Sequence, residues 1–257
     1  MSRSQSSRTA NPPPILFYDV PHNSPQQPWA PHTWRVRFIL NYKRLPYRTV
    51  WVNFQDVEAT LRQIGVRPST RSDGRAVYTL PVIIDQRTNP PVILSNANII
   101  AEYLEKEYPA RPVFPEGSRA LQTLFVHFVQ EVLSKPLLPI MVPLSHQQLP
   151  ESTQAHFRGG LPPAGPLVGS AREQAWRAVQ DQFDFLALIL DKNFGDGAGD
   201  RVVAMGHDVS YADFALCSVL IWIQRMAAHD GWARVRLWHD GRWNRLWERC
   251  RPYMDEL

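Results

Sequence analysis

The period of the apolar positions along this chain changes near residue 109: short strand-like runs alternate with helical stripes before it, and only helical stripes recur after it. ILFYDV (15–20) is a short apolar run closed by Pro21, which predicts a strand. WAPHTWRVRFILNYKRL predicts a helix ending near Lys43. Pro31 suits its first turn, and Trp34, Phe38 and Tyr42 with Ile39 form the 3.6-residue stripe. PYRTVWVNF (46–54) is β-branched and aromatic, hence a strand, and DVEATLRQIG a short helix stopped by Gly65. After a polar loop over 66–76, VYTLPVIID and PPVILS predict two strands around a turn at 86–90. NANIIAEYLEKEYP then predicts a helix with Ile99, Ile100, Tyr103 and Leu104 inward. The order is β-α-β-α-β-β-α.

Beyond a linker-like PARPVFP, SRALQTLFVHFVQEVL carries Leu121, Leu124, Phe125, Phe128 and Val132 on a helical pattern. A Pro-rich region over 136–166 reads as irregular. Trp176, Val179, Phe183, Leu186 and Leu190 then recur at helical spacing. SYADFALCSVLIWIQRM is apolar on nearly all sides, which predicts a buried central helix. Its Ser210-Tyr211-Ala212-Asp213 start has the spacing of a capping box. The domain reading is a disordered tail over 1–14, a mixed α/β domain over 15–108, a linker over 109–116 and an all-α domain over 117–257.

Composition sharpens that division. Seven of the 23 prolines fall at 12–31 and ten at 109–166, and none follows until Pro252, so long helices belong in the tract between. Of the nine tryptophans, Trp222, Trp232, Trp238, Trp243 and Trp247 crowd one C-terminal segment. A net charge of +4 with no basic stripe argues against nucleic-acid binding. Cys217 and Cys250 cannot form a disulfide framework and read as reduced thiols, which makes a cytoplasmic setting the default. The longest apolar runs, about ten residues, are too short for a bilayer, so no membrane partner is expected. The acid-free start MSRSQSSRTANPPP faintly suggests a transit peptide, but without an amphipathic face it reads as a disordered tail.

The element order and four texts, APHTWRVRFILNYKRLPY, YTLPVIID, SNANIIAEYLEKEYP and GHDVSYADFALCS, together resemble the glutathione transferase superfamily from about Ile15 to the C-terminus. The start of the first helix and the WVNFQDVE stretch are most similar to its fungal etherase-related (Fua-type) class. The resemblance implies a thioredoxin-like α/β N-terminal domain plus an all-α C-terminal domain, with glutathione as cofactor and a homodimer as the usual assembly. It also implies a peptide-binding edge at Leu80 and cis-Pro81, where the tripeptide backbone pairs like an added strand. The γ-glutamyl carboxylate belongs at the start of the third helix, beside Asn96, Ala97 and Asn98, where orphan N–H groups favour an anion. The thiol is activated at the start of the first helix.

Both polar positions depart from that pattern. Ala30 stands where the class has a Ser, and Asn96-Ala97 replaces an acid-Ser pair. A lost hydrogen bond to a charged group costs about 1.5–3 kcal/mol. The candidates to compensate are His32, as a neutral donor or base, and backbone N–H groups around Ala30. Asn96 or Asn98 can hold the γ-glutamyl group while also capping the helix. The family's acceptor pocket lies between the domains, which here implies Trp29, Phe125, Phe128, Glu131, Trp222 and Met226 as a large aromatic lining for a small hydrophobic substrate. His127 and Glu131 share a helix face but lack a third ligand, so no metal is expected.

Two functions follow. The first is a glutathione-dependent, transferase-like enzyme acting on an aromatic or polyene compound of secondary metabolism. Thiolate addition there supports conjugation, ether cleavage, or isomerisation by addition and elimination. The second is a non-catalytic, ligandin-like carrier that kept the aromatic pocket and lost the polar groups. Thiol-disulfide reduction is disfavoured, since no Cys precedes Cys217.

Overall fold

The computed structural model describes residues 14–22, 27–70, 74–149, 153–154, 165–196 and 202–255, so the expected tail, Pro14 apart, lies outside the described residues. The first half is β1 (Ile15–Asp19), α1 (Pro31–Tyr42), β2 (Tyr47–Trp51), α2 (Val57–Gln63), two residue-pair strands β3 (Ser69–Thr70) and β4 (Ala76–Val77), β5 (Val82–Asp85), β6 (Val92–Ser95) and α3 (Ala97–Glu107). The main sheet runs β2-β1-β5-β6. β1 pairs parallel with β2 in the register Phe17 to Thr49, and antiparallel with β5 in the register Phe17 to Ile83. β6 pairs antiparallel with β5. The expected second strand stops at Trp51, and Phe54–Asp56 is a 3-10 turn into α2.

The second half is helical: α4 (Arg119–Phe128), α5 (Leu138–Gln147), α6 (Gly169–Leu190), α7 (Tyr211–Met226) and α8 (Trp238–Cys250). This is the thioredoxin-like plus all-α architecture of the glutathione transferase fold. α7 is the expected central helix, with 14 of its 16 residues buried. Its capping box is formed: Asp213 accepts from the Ser210 backbone N–H and hydroxyl, each at 2.8 Å. The α6 stripe Trp176, Val179, Phe183, Leu186 and Leu190 is at most 3% exposed.

Two expectations are corrected. Residues 138–147 are helical despite their prolines, because Pro139 sits in the first turn and Pro143 is buried with Ile140 and Met141, packing that outweighs one missing backbone donor. Ile99 points outward at 54% exposure, since α3 turns Ala97, Ile100, Ala101 and Leu104 to the core. The apolar pattern of α4 leaves its inward face open: Leu121 and Leu124 are 67% and 64% exposed, and the inward stripe is Gln122 and Val126, continued by Val129 and Leu133. The stretch Arg119–Gln147 reaches a mean hydropathy of 1.2, but a 3-10 turn at Lys135–Leu137 breaks it and its two helices pack in the bundle.

The first half holds the linker through buried polar groups. The Lys43 ammonium pairs with Glu105 at 2.7 Å and also donates to the Tyr108, Ala110 and Arg111 carbonyls. Glu105 accepts from the Val113 and Phe114 N–H groups, which holds the linker. Phe38 of α1 stacks on Phe214 of α7 at 5.0 Å. The Phe38–Phe214 contact holds α1 against the helical half, and the cavity opens beside the start of α1.

Candidate functional site

A cavity of about 760 Å³ separates the halves. Its lower wall is Trp29 to Thr33 with Arg35, the Leu80-Pro81 corner, and Asn96 to Asn98. Its upper wall is Val129, Gln130, Glu131 and Ser134 from the turn that follows α4 and Leu138 at the start of α5, with Ala215, Ser218, Val219 and Trp222 of α7. The Leu80-Pro81 bond is cis.

The start of α1 is shaped by its sequence. Pro31 opens the helix, the Thr33 hydroxyl donates to the Ala30 carbonyl at 3.0 Å, and the Trp34 indole donates to the Pro28 carbonyl at 3.0 Å. Ala30 has no side-chain cap to offer, and no acid lies in the first turn. The positive end of this helix is therefore uncompensated.

The start of α3 lies beside that of α1 on the same wall. Asn96 adopts φ 74, a left-handed conformation that Asn tolerates, and its side chain caps the helix by accepting from the Asn98 N–H at 2.9 Å. The Asn98 side-chain oxygen accepts twice: from Arg35 at 3.0 Å and from the Tyr211 hydroxyl at 2.7 Å. Asn98 thus joins α1, α3 and α7.

Arg35 also approaches His32 Nδ1 at 2.7 Å. His32 is exposed toward the cavity, with protein atoms packed around the rest of its ring. That crowding, and then the Arg35 cation, lower its pKa to about 4, so the ring is neutral at neutral pH. Sequence reasoning missed Arg35, because a charged residue in a helix normally reads as solvent-facing. The available signal was its position one turn beyond His32 in a helix that is buried on all sides from Thr33 to Asn41.

Of the residues singled out from sequence, the cavity brings together Trp29, Ala30, His32, Leu80, Pro81, Asn96, Ala97, Asn98, Glu131 and Trp222. Phe125, Phe128 and Met226 are not in its lining. Phe125 and Phe128 lie on a different face of α4 from its inward stripe, where Phe128 meets Phe185 at 5.9 Å. Glu131 reaches the wall because Val129–Leu133 winds as a π turn, which shifts the phase of the helix. Met226 is packed in the core one turn beyond Trp222, whose indole N–H donates to Ser145 at 2.9 Å.

Two family models match the chain: the glutathione S-transferase N-terminal domain over residues 27–112 and the C-terminal domain over 120–253. The crystal structure of glutathione transferase GSTFuA3 from Phanerochaete chrysosporium superposes with a TM-score of 0.81 at 35% identity, covering 95% of this chain and 98% of that one. The glutathione S-transferase CsGST63524 of Ceriporiopsis subvermispora, solved in complex with glutathione, gives 0.84 at 34% identity with the same coverage. A glutathione S-transferase-like protein, ustS, from Aspergillus flavus is 24% identical over 249 residues, 91% of this chain and 88% of that protein.

Proposed function

Because this chain belongs to the glutathione S-transferase family, we propose that it binds glutathione in the lower half of the cavity and joins its sulfur to a bulky hydrophobic compound held in the upper half. The observation that carries this reading is the convergence of the Leu80-Pro81 edge and the first turns of α1 and α3 on one cavity with an apolar far wall. In this reading Leu80 pairs with the tripeptide backbone, and the start of α3 takes the γ-glutamyl carboxylate. The start of α1 receives the sulfur. Val129, Leu138, Val219 and Trp222 accept an aromatic or polyene acceptor, of the kind secondary metabolism makes, and Glu131, Ser134 and Ser218 orient its polar atoms. A thiolate forms a carbon–sulfur bond there; then a leaving group departs with its electron pair, or a proton reaches the neighbouring carbon, or, for isomerisation, the same carbon–sulfur bond breaks after rotation and returns the thiolate. Conjugation, ether cleavage and double-bond isomerisation all lie within that chemistry.

Ala30 favours a second reading, a ligand carrier without turnover, because it removes the hydroxyl donor. Calorimetric titration with glutathione, followed by turnover of a conjugated enone, separates the two. Binding with formation of a thiol adduct supports the enzyme. Binding of the enone without glutathione binding supports the carrier.

We also infer a homodimer. Leu121, Leu124, Phe185 and Leu188 of α4 and α6 are each more than half exposed, an apolar face that a second copy would cover. Leu124→Glu is expected to shift sedimentation from dimer to monomer, and a wild-type monomer would remove the inference.

A further inference from the structure

Arg35 is a cation buried without a counter-charge. It is 4% exposed and lines the cavity, yet among the described residues no carboxylate pairs with it. Its partners Asn98 and His32 are neutral, and Tyr211 is the other polar group beside it. Burying a guanidinium against neutral groups is costly. Those three residues belong to the first turns of α3, α1 and α7, so three helix starts of the same sign meet at this one cation. Asp213, the acid in the first turn of α7, is committed to Ser210 and to the Ala204 N–H. Among the described residues no other group supplies the opposite charge.

Arginine has no acceptor, so the 2.7 Å contact makes His32 Nδ1 the acceptor and places the ring proton on Nε2. Among the described residues nothing bonds Nε2. The sulfur end of the site is where a donor is missing: position 30 offers a methyl group, and the Thr33 hydroxyl is committed to the Ala30 carbonyl. At α3, by contrast, Asn96 already caps the helix.

We propose that His32 and Arg35 form the thiolate site: His32 donates Nε2–H to the glutathione sulfur, and Arg35 fixes that tautomer and supplies the counter-charge. This rests on the glutathione reading above. His32 is then a catalytic residue that touches the sulfur, and Arg35 is a positioning residue. Because the Arg35 contact occupies Nδ1, the neutral imidazole serves as a donor rather than a base, and the thiol proton leaves to water. Other charges nearby are Glu102 on α3, which pairs with Arg119 and acts on Tyr211, and the cavity-wall acids Glu58 and Glu131. Glu58 is already paired with Arg62.

The test is a pH titration of the thiolate absorbance of bound glutathione in wild type, Arg35→Met and Arg35→Lys, with melting temperatures alongside. Arg35→Met is expected to raise the pKa of the bound thiol by about one unit or more, a roughly tenfold loss of thiolate in mildly acidic buffer. Its melting temperature is expected to be unchanged or higher, because an uncompensated buried charge has gone. Arg35→Lys, which keeps the charge and loses the fork, is expected to fall between the two. An unchanged thiol pKa in Arg35→Met with weaker glutathione binding would make Arg35 a carboxylate anchor and overturn the proposal. A lowered melting temperature with an unchanged thiol pKa in both variants would make it structural. Failure of wild type to bind glutathione overturns the function and this inference together, whereas binding with an unmoved thiol pKa overturns the inference alone.

Discussion

Arg35 and Arg37 lie two residues apart on α1, are both buried, and have opposite surroundings. Arg37 pairs with the buried Asp19 at 2.9 Å, donates to Tyr47 and Thr49, and lies within 5.8 Å of the ring centroids of Phe17, Trp34, Tyr47 and Trp51. Every element of that cage comes from the chain itself, so the charge is compensated before any ligand arrives. Arg35 faces the cavity with neutral partners. The contrast teaches that burial alone does not separate structural from functional charge; the presence or absence of a resident counter-charge does.

The largest expected effect breaks the compensated side. Arg37→Met leaves Asp19 buried without its partner and is expected to cost about 3–5 kcal/mol in denaturant unfolding. Arg35→Met, two residues away, is expected to cost nothing. Equal losses would erase the distinction. A smaller effect is expected at the start of α7, which supports the upper wall: Ser210→Ala removes one arm of the capping box and should lower stability by about 1 kcal/mol without moving the pKa of the bound thiol.

The smallest effect reads the charge balance through pH. His32 has a folded pKa depressed from 6.5 to about 4, so the stability tied to its neutral form is present above 6.5 and lost as pH falls toward 4. His32→Asn should therefore show a shallower fall in melting temperature across that window than wild type. Asp213 acts in the opposite sense. Burial lifts it to about 6, so its contribution is present below 3.8 and lost as pH rises through about 6, equally in both proteins. Identical acid profiles would mean that the folded surroundings of His32 do not hold the ring neutral.

Much of the architecture was legible because single-faced elements carry one clear period. The α6 stripe and the Ser210-Asp213 box are such cases, and both are formed. α4 was harder because it is apolar on two faces. Leu121, Leu124, Phe125 and Phe128 form one, and Val126, continued by Val129 and Leu133, the other, so periodicity cannot say which meets the core. α5 was hidden by Pro139 and Pro143, whose local cost is outweighed by burial. Within the cavity, the residues named from the family pattern at the starts of α1 and α3 line one wall, while the upper wall depends on the π turn at Val129–Leu133, which no simple period announces. Arg35 escaped notice because its meaning is relational: it depends on what is absent around it, and that is visible only in three dimensions.

The most direct measurement is a crystal structure of the protein with glutathione. The account predicts the tripeptide along Leu80-Pro81, with its sulfur at hydrogen-bond distance, about 3.5 Å, from His32 Nε2 and its γ-glutamyl carboxylate at the start of α3. A cavity without the tripeptide, or a sulfur turned away from the first turn of α1, would contradict it.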